Sequence, residues 1–456
     1  MAVIDSTLMA EVQAIIEDGS NPVHNRYRLT FLLDGLEYPA NKLKELNIDR
    51  DYTAALADLA MAEVEVEEEI YLRYLYPNRE RLMARLSKAP TIAPDDPEVD
   101  SLGGTLITLW RPVLQASADE TLETNHPISS DPATQGQRGF RTLVVQLIHP
   151  AADHVRRKSL GGVFNRVSAG DLLKGLLTHT AASQVIEEPY RVKGVDMVPP
   201  DTKGPRETIV LPHGTPVTSL HKTLQRDQGG IYQTGIASYI QNDRWYVYPP
   251  FHLDRFDREP RTLTLINLPP NQAPMIENTY RIKDNAVIAL LTDQTREIDD
   301  TEDQELNQGN GVVYLKASKV MEGIIATKGN RTTTQRDQNI RQYGLRERQT
   351  RENYQVISPE RITDNDAVQA SRLARRNGRH MLATWHNANP DVLYPGMPVR
   401  FLSLKSDNLT LSSELFGTLV RADHQILMKG RGQAMNHHAC ISVLTLFLGR
   451  PTKDKG

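Results

Sequence analysis

The sequence predicts a β-rich α+β fold, and three patterns in it lead to that class. Residues of alternating polarity recur near both ends of the chain, which is typical of strands with one buried face. Between them, apolar residues three and four positions apart predict helices that alternate with short strands. Pairs such as Pro269-Pro270 and Pro395-Gly396 mark turns between these elements.

The N-terminal part predicts one helix followed by strands. The apolar residues Leu8, Val12, Ile15 and Ile16 are expected to share a helical face within residues 1–20. From Arg26 the period changes to two, which predicts a strand as far as the turn at Asp34-Gly35.

A second alternating run, residues 62–76, predicts one or two strands with an acidic outer face. Its alternate positions carry four carboxylates, at Glu63, Glu65, Glu67 and Glu69. A row of charges on a strand usually faces water. The alternative is a face that meets a basic partner.

The next stretch predicts a helix and two strands. Residues 78–87 are expected to be helical, with Leu82, Met83 and Leu86 as the apolar side. Strands are expected near 105–114 and 141–148, with an exposed loop between them.

A region of mixed α and β character follows from about residue 155. Ser168 is expected to cap a helix that runs to Thr180, with Asp171 at its third position as an acidic variant of the capping box. A strand over 207–211 leads to a helix bearing Val217, Leu220 and Leu224.

A hairpin and several C-terminal strands complete the prediction. The hairpin joins 231–240 to 244–248, and another strand is expected over 262–268. A short helix over 366–377 precedes four strands, at 380–386, 399–404, 417–422 and 439–448.

Composition excludes several classes of protein. The 456 residues suggest about three domains. A net charge of −4 excludes a generally basic nucleic-acid coat, although not a local basic patch. Cys440 is the one cysteine, which excludes an intrachain disulfide and a multi-cysteine zinc site.

No membrane or export signal is expected. No run of about 18 apolar residues is present, so no transmembrane helix is predicted. Residues 1–20 carry acids and no base, the wrong charge for a signal peptide. We therefore expect synthesis in a cytoplasm without classical export.

The sequence contains no complete motif for binding a cofactor or a metal ion. The glycine pairs lack the spacing and the lysine of a phosphate-binding loop, so no cofactor is expected. His437, His438 and Cys440 raise a metal site, but alternate strand residues point to opposite faces, so only His438 and Cys440 share a side. The acidic run 297–305 lacks the order of a calcium loop. We predict no catalytic or metal site.

The segment 329–363 is rich in arginine and poor in apolar residues, so it cannot build its own core. Five of its arginines recur every fifth position, at Arg331, Arg336, Arg341, Arg346 and Arg351. One interpretation is a solubilising linker. The other is an arm that docks on an acidic neighbouring subunit, and these arginines are then candidate interface residues. Binding of nucleic acid is a weaker third choice, because stacking aromatics are limited to Tyr343 and Tyr354.

Several stretches, taken in order, resemble the central baseplate hub proteins of contractile-tail bacteriophages. They are LPHGTPVTSLHKTLQRDQGGIYQTGIASYIQNDRWYVYPPF (211–251), LTLINLPPNQAPMIENTYR (263–281), GNGVVYLKAS (309–318), LYPGMPVRFL (393–402) and GTLVRADHQI (417–426). The resemblance covers roughly two thirds of the chain, and the order of the pieces carries it rather than one motif.

The resemblance implies a structural virion protein. Hubs of this family form a homotrimeric ring whose subunits each contribute two tail-tube-like β-barrel domains, and the ring joins the tail tube to the central spike. It implies tail-tube, spike and other baseplate proteins as partners, passage of DNA through the ring, assembly in the host cytoplasm and a place in the virion tail. The acidic row at Glu63–Glu69 is then a candidate for the lumen or for a partner face. The expected division is an N-terminal helix (1–20), a first tube-like barrel (21–154), an inserted mixed α/β region (155–290), a connector (291–365) and a second tube-like barrel region (366–456).

Two other functions stay open from the sequence. A tail-associated cell-wall hydrolase would need a cleft with convergent carboxylates. A polysaccharide-binding tail module would need solvent-facing aromatics, and Trp245, Tyr246 and Tyr248 are candidates, although a hairpin makes them packing residues more readily.

Overall fold

The computed structural model describes residues 6–18, 25–90, 106–114, 139–181, 191–227, 230–269, 279–283, 285–291, 295–298, 371, 374–375, 377–404, 411–429 and 437–450. The chain is β-rich with some helices, as the sequence predicts. Across these ranges no helix is long and apolar enough to cross a membrane.

The strands of the described chain have the following bounds. They are β1 (Asn25–Leu33), β2 (Leu36–Pro39), β3 (Lys42–Asp51), β4 (Leu59–Glu67), β5 (Met83–Pro90), β6 (Leu106–Leu114), β7 (Phe140–Ile148), β8 (Ser159–Val167), β9 (Gly194–Met197), β10 (Arg206–Pro216), β11 (Ala237–Gln241), β12 (Arg244–Tyr248), β13 (Thr262–Asn267), β14 (Tyr280–Lys283), β15 (Ala286–Leu291), β16 (Arg296–Ile298), β17 (Gly378–His386), β18 (Pro398–Leu404), β19 (Leu411–Lys429) and β20 (His437–Gly449).

The helical segments of the described chain range from single turns to helices of 13 residues. The α-helices are α1 (Ser6–Asp18), α2 (Glu68–Ile70), α3 (Pro150–Val155), α4 (Ala169–Ala181) and α5 (Leu220–Asp227). One π-helical turn covers Tyr71–Leu75, and 3₁₀ turns cover Val217–Ser219, Phe256–Arg258 and Pro390–Val392.

Eight strands form a closed ring. Hydrogen-bonded neighbours follow the order β19-β3-β4-β7-β6-β5-β1-β20, and β20 pairs back on β19. The closure between β1 and β20 is a single register pair, Asn25 with His438. Inward residues such as Val64, Val145 and Leu29 are buried in one apolar core. A closed ring removes the free strand edges that invite aggregation.

A second group of strands extends from the paired strands β19 and β20, which we call the ribbon. β18, β13, β15 and β14 continue outward from β19, while β17 and β16 continue from β20. The first half of β19 pairs with β18 and the second half with β3, and a register shift between Leu419 and Arg421 separates the halves. Strands β19 and β20 therefore belong to both groups. Helix α1 buries Val12 and Ile15 of its predicted apolar face against Leu268 and Leu402. Ile16, which was predicted on the same face, is exposed instead.

The mixed region consists of two small sheets, β8–β10 and β9–β12–β11, with α4 and α5. The Ser168 hydroxyl accepts a hydrogen bond from the Asp171 N–H (3.0 Å) and donates one to the Asp171 carboxylate (2.6 Å), which confirms the predicted cap. Leu220 and Leu224 are buried beside Trp245, so the predicted helix packs on the hairpin.

The structure corrects two predicted elements. The acidic strand ends at Glu67, and residues 68–75 are helical, because Tyr71 and Leu75, four positions apart, are the buried side chains. Residues 83–90 form strand β5 rather than the C-terminal part of a helix over 78–87. The buried side chains are every second residue, at Leu82, Ala84, Leu86 and Lys88, which is the period of a strand. This pattern outweighs the spacing of Leu82, Met83 and Leu86 that predicted a helix.

Two boundaries also differ from the prediction. The first hairpin strand begins at Ala237 rather than 231, and β19 is longer than the predicted 417–422. Most of the predicted helix over 366–377 lies outside the described residues.

Candidate functional site

The acidic row lies on the outer face of β4, partly neutralised by the neighbouring strand. The Glu63 carboxylate lies 3.6 Å from the Lys44 ammonium, and the Glu65 carboxylate lies 4.0 Å from that of Lys42. Glu69 lies beyond the strand, in α2, where it pairs with Arg73 at 2.9 Å. The row on the strand therefore consists of Glu63, Glu65 and Glu67.

An exposed apolar strip runs beside this row, and the sequence reasoning missed it. Val144 and Phe140 of β7 stand directly opposite Glu63 and Glu67 of β4, and both are exposed. Further exposed apolar side chains on the same outer face are Leu59, Ile107 and Val113. The signal was present in FRTLVVQLI (140–148), where apolar residues occupy both phases of the strand period.

The five arginines predicted as interface residues, Arg331, Arg336, Arg341, Arg346 and Arg351, lie outside the described residues. The acidic run 297–305 is described only at Glu297 and Ile298, and the Glu297 carboxylate pairs with Arg379 at 2.8 Å.

A buried polar cluster, which we call the junction, joins the ring, the hairpin and the second group of strands. Arg50 of β3 and Asp58 form an ion pair (3.0 Å) with each side chain only 6% exposed. The Tyr239 hydroxyl of β11 donates to Asp58 (2.9 Å), and Arg50 donates to the Pro390 carbonyl (2.6 Å). His424 of β19 completes this group, 3.4 Å from the guanidinium.

The junction continues through Lys88 of β5. Its ammonium donates to Asn389 (2.8 Å) and Asp391 (2.5 Å), and the Asn389 amide donates to the Tyr280 hydroxyl of β14 (3.0 Å). Lys88 occupies an inward strand position, so its charge is compensated inside the protein.

Burial and charge fix the protonation states of the junction. Burial and the neighbouring Arg50 charge hold the pKa of His424 well below its usual value. The neutral imidazole then accepts from Arg50 at Nε2 and donates from Nδ1 to Ser442 (2.6 Å). Burial disfavours the Arg50 cation, yet the Asp58 carboxylate raises the pKa of Arg50 overall. Burial and the Asp58 charge raise the pKa of Tyr239.

A cavity of about 390 Å³ opens beside the junction, with Trp110 and Tyr27 in its wall. Its described carboxylates are each paired with a cation: Asp58 with Arg50, Asp391 with Lys88, and Asp243 with Lys193. Glycoside hydrolysis needs two carboxyl groups facing one substrate bond. These three instead serve as counter-ions.

His438 has a structural role. Its Nδ1 accepts from the Tyr27 N–H (3.3 Å), and its Nε2–H donates to the Leu43 carbonyl (2.9 Å). His438 and Cys440 do share the buried side of β20, as predicted. Among the described residues, no group of three or more His, Cys, Asp or Glu side chains could hold a metal ion.

Two of the three candidate aromatic residues of the hairpin pack inward, and the third, Tyr246, is half-buried with its ring centroid 6.0 Å from that of Tyr394. Trp245 and Tyr248 are buried, and the Trp245 indole N–H donates to Ser238 (2.7 Å). The Tyr248 hydroxyl donates to the Tyr52 carbonyl (2.7 Å). Trp245 and Tyr248 are therefore not part of the solvent-facing platform that polysaccharide binding would need.

Comparisons with known proteins find phage-tail and secretion proteins. A 43 kDa tail protein of prophage MuSo2 from Shewanella oneidensis is 10% identical, with 92% of this chain and 98% of that chain covered and a TM-score of 0.44. A tail protein from Neisseria meningitidis MC58 is also 10% identical, with coverages of 92% and 96% and a TM-score of 0.41.

A third match is the E. coli c3393 protein, a component of the type VI secretion system with structural similarity to the T4 tail proteins gp27 and gp5. It is 8% identical, with coverages of 93% and 77% and a TM-score of 0.41. No protein-family model and no curated protein matches the chain. Because the TM-scores of the matched structures lie below 0.5, we base the function on this chain's own residues and contacts.

Proposed function

We propose that this chain is the central hub of a contractile-tail phage baseplate, a homotrimeric ring that joins the tail tube to the central spike. The observation that carries this proposal is the sharing of β19 and β20 between a closed eight-strand ring and a second group of strands. Each subunit then offers two β units side by side. Three subunits offer six, which suits a sixfold tube on one side and a threefold spike on the other.

The junction supports this role, because a hub must hold its two β units in one fixed arrangement. Arg50 ties the ring to Asp58 and to the Pro390 carbonyl, while Lys88 ties it to Asn389 and Asp391. Removing one member of a buried ion pair typically costs about 3–5 kcal/mol, since it leaves a buried charge without compensation. Sliding of one unit against the other would break the same contacts.

The outer face of the ring supplies a surface for partners. The apolar strip at Phe140 and Val144 lies beside the acidic row at Glu63, Glu65 and Glu67. In the proposed assembly these carboxylates face either the lumen, where they repel passing DNA, or a basic partner surface. The tail-tube protein, the spike and other baseplate proteins are the remaining partners.

The arginines of residues 329–363 suit the second of these alternatives, in which an acidic face meets a basic partner surface. Guanidinium groups bind carboxylates through two parallel hydrogen bonds, so Arg331, Arg336, Arg341, Arg346 and Arg351 suit an acidic face on a neighbouring subunit. We place the protein in the virion tail, assembled in the host cytoplasm, with a structural rather than enzymatic role.

The oligomeric state tests the proposal. Mass photometry of the purified chain at low salt should show three copies of 51.3 kDa, about 154 kDa. Replacing the five arginines by glutamine should shift the distribution towards monomer, as should raising the salt concentration, because exposed ion pairs are screened. A monomer at low salt would contradict the homotrimer.

A turbidity assay on peptidoglycan separates the hub from the hydrolase alternative. The hub predicts no clearing of the suspension. Clearing that disappears when one carboxylate is replaced would favour the hydrolase.

A further inference from the structure

The seam of the ring contains a small cationic pocket that the proposed function does not use. β1 and β20 share one register pair there, whereas β1 and β5 pair over eight. The strands separate beside that pair, and a pocket of about 180 Å³ remains, with Pro39, Ala40 and Met428 among its walls. His438 bridges the seam below it through Tyr27 and Leu43.

Three cations line this pocket. Arg26 and Arg28 are two positions apart on β1, so both lie on its outer face, and Lys42 begins β3. Within the described chain neither arginine has an ion pair with a carboxylate, while the Lys42 ammonium lies 4.0 Å from the Glu65 carboxylate. Asn41 also lines the pocket, and its backbone N–H donates to the Glu65 carbonyl at 2.8 Å.

The two arginines repel each other. Partial burial, and then the charge of Arg28, lower the pKa of Arg26. An anion between them would remove this repulsion and would satisfy guanidinium donors that lack a partner in the described residues.

The chemistry of the pocket selects an oxyanion. A guanidinium presents a planar fork of donors that matches the oxygens of a carboxylate or a phosphate, and an ammonium adds a point charge. A volume of about 180 Å³ equals the liquid volume of about six water molecules, enough for one such group with part of its hydration. A polyanion such as DNA is less well suited, because Glu65 of the acidic row stands opposite Lys42 at the pocket.

We propose that Arg26, Arg28 and Lys42 form a binding site for a single oxyanion, either free phosphate or a carboxylate side chain from another copy of this chain. The two sources share the chemistry and differ in what binding does to assembly. The site is independent of the proposed trimer, since it requires only the seam of one subunit.

Calorimetric titration of the full chain with inorganic phosphate, in a low-salt buffer without other oxyanions, tests the site. We expect saturable binding that the double variant Arg26→Gln, Arg28→Gln weakens about tenfold or more, because charge-assisted hydrogen bonds are lost. The variant Arg26→Lys, Arg28→Lys should bind with intermediate affinity, since it keeps the charge and loses the forks. A control, Arg206→Gln with Arg258→Gln, removes the same charge far from the seam and should bind as the wild type does.

Mass photometry of the same variants distinguishes the sources. If the double glutamine variant lowers self-association and phosphate competes with self-association of the wild type, the natural oxyanion is a carboxylate of another copy. If self-association is unchanged, it is free phosphate. Absence of phosphate binding, or equal binding by the double variant with an unchanged melting temperature, would overturn the site whether or not the chain is trimeric.

Discussion

Asp58→Ala is expected to destabilise the protein strongly, because it leaves Arg50 charged and buried. Asp58 supplies the acceptor for the Arg50 Nε–H at 3.0 Å and for the Tyr239 hydroxyl at 2.9 Å. After the substitution Arg50 keeps the Pro390 carbonyl as a hydrogen-bond acceptor, but it loses the carboxylate with which it forms an ion pair. Loss of one partner from a buried pair costs about 3–5 kcal/mol.

The expected shift follows from the size of the protein. At about 2 °C per kcal/mol for a cooperative unit of about 250 residues, calorimetry should show the melting temperature falling by about 6–10 °C. Asp196→Ala is the matched control, because it breaks the exposed Asp196–Arg244 pair (2.9 Å). Exposed pairs contribute only about 0–1 kcal/mol.

A third variant separates the buried charge from the lost contacts. Arg50→Met with Asp58→Leu removes both charges, and similar apolar replacements are often neutral or stabilising. We therefore expect it to recover much of the loss. If Asp58→Ala lowers the melting temperature no more than Asp196→Ala does, the junction does not hold the β units together, and this reasoning fails.

Three further predictions concern single sites. Leu224→Ala, at a fully buried position, should lower the free energy of unfolding measured by chemical denaturation by about 2–5 kcal/mol. The control Val163→Ala, on an exposed face, should lower it by less than about 0.5 kcal/mol. Equal values would show that the α5 face is not buried. Gly175→Ala should stabilise α4 by about 0.5–1 kcal/mol, since an added Cβ meets nothing within 4 Å, whereas Gly170→Ala should destabilise it through contact with Pro200; the reverse order of melting temperatures would refute this. Burial raises the pKa of the Cys440 thiol to about 12, so a thiol reagent at about pH 8 should react slowly with the native protein and rapidly after unfolding; rapid native labelling would contradict it.

Local pattern predicted most of the strands and the helix cap. Over residues 62–67 of β4 the apolar and polar residues alternate without interruption, so this part of the sequence identifies both the strand and its acidic outer face. Ser168 and Asp171 form their cap within four residues, so the interaction is local and readable from the sequence.

The junction could not be predicted, because its partners are distant in sequence. Arg50 reaches Pro390, and Lys88 reaches Asn389, across more than 300 positions. Lys88 also made β5 difficult to recognise. It occupies an inward position of the strand, where a charged residue interrupts the alternation of apolar and polar residues that predicts a strand. The two arginines of the seam pocket form no sequence motif either. Whether they line a pocket depends on which strand lies beside β1, and that pairing is not visible in the local sequence.

The path of β19 and β20 explains why the junction lies where it does. Both strands run continuously through the ring and the second group, so separating the two would break a long antiparallel ladder. The register shift at Leu419 and Arg421 is the point where the ladder changes partners, and bulges increase local twist. Two side chains just beyond the shift, His424 of β19 and Ser442 of β20, connect this ribbon to Arg50 and so to the 390–392 turn. The junction therefore cross-links the ribbon, strand β3 and the 390–392 turn close to the point where the ladder changes partners.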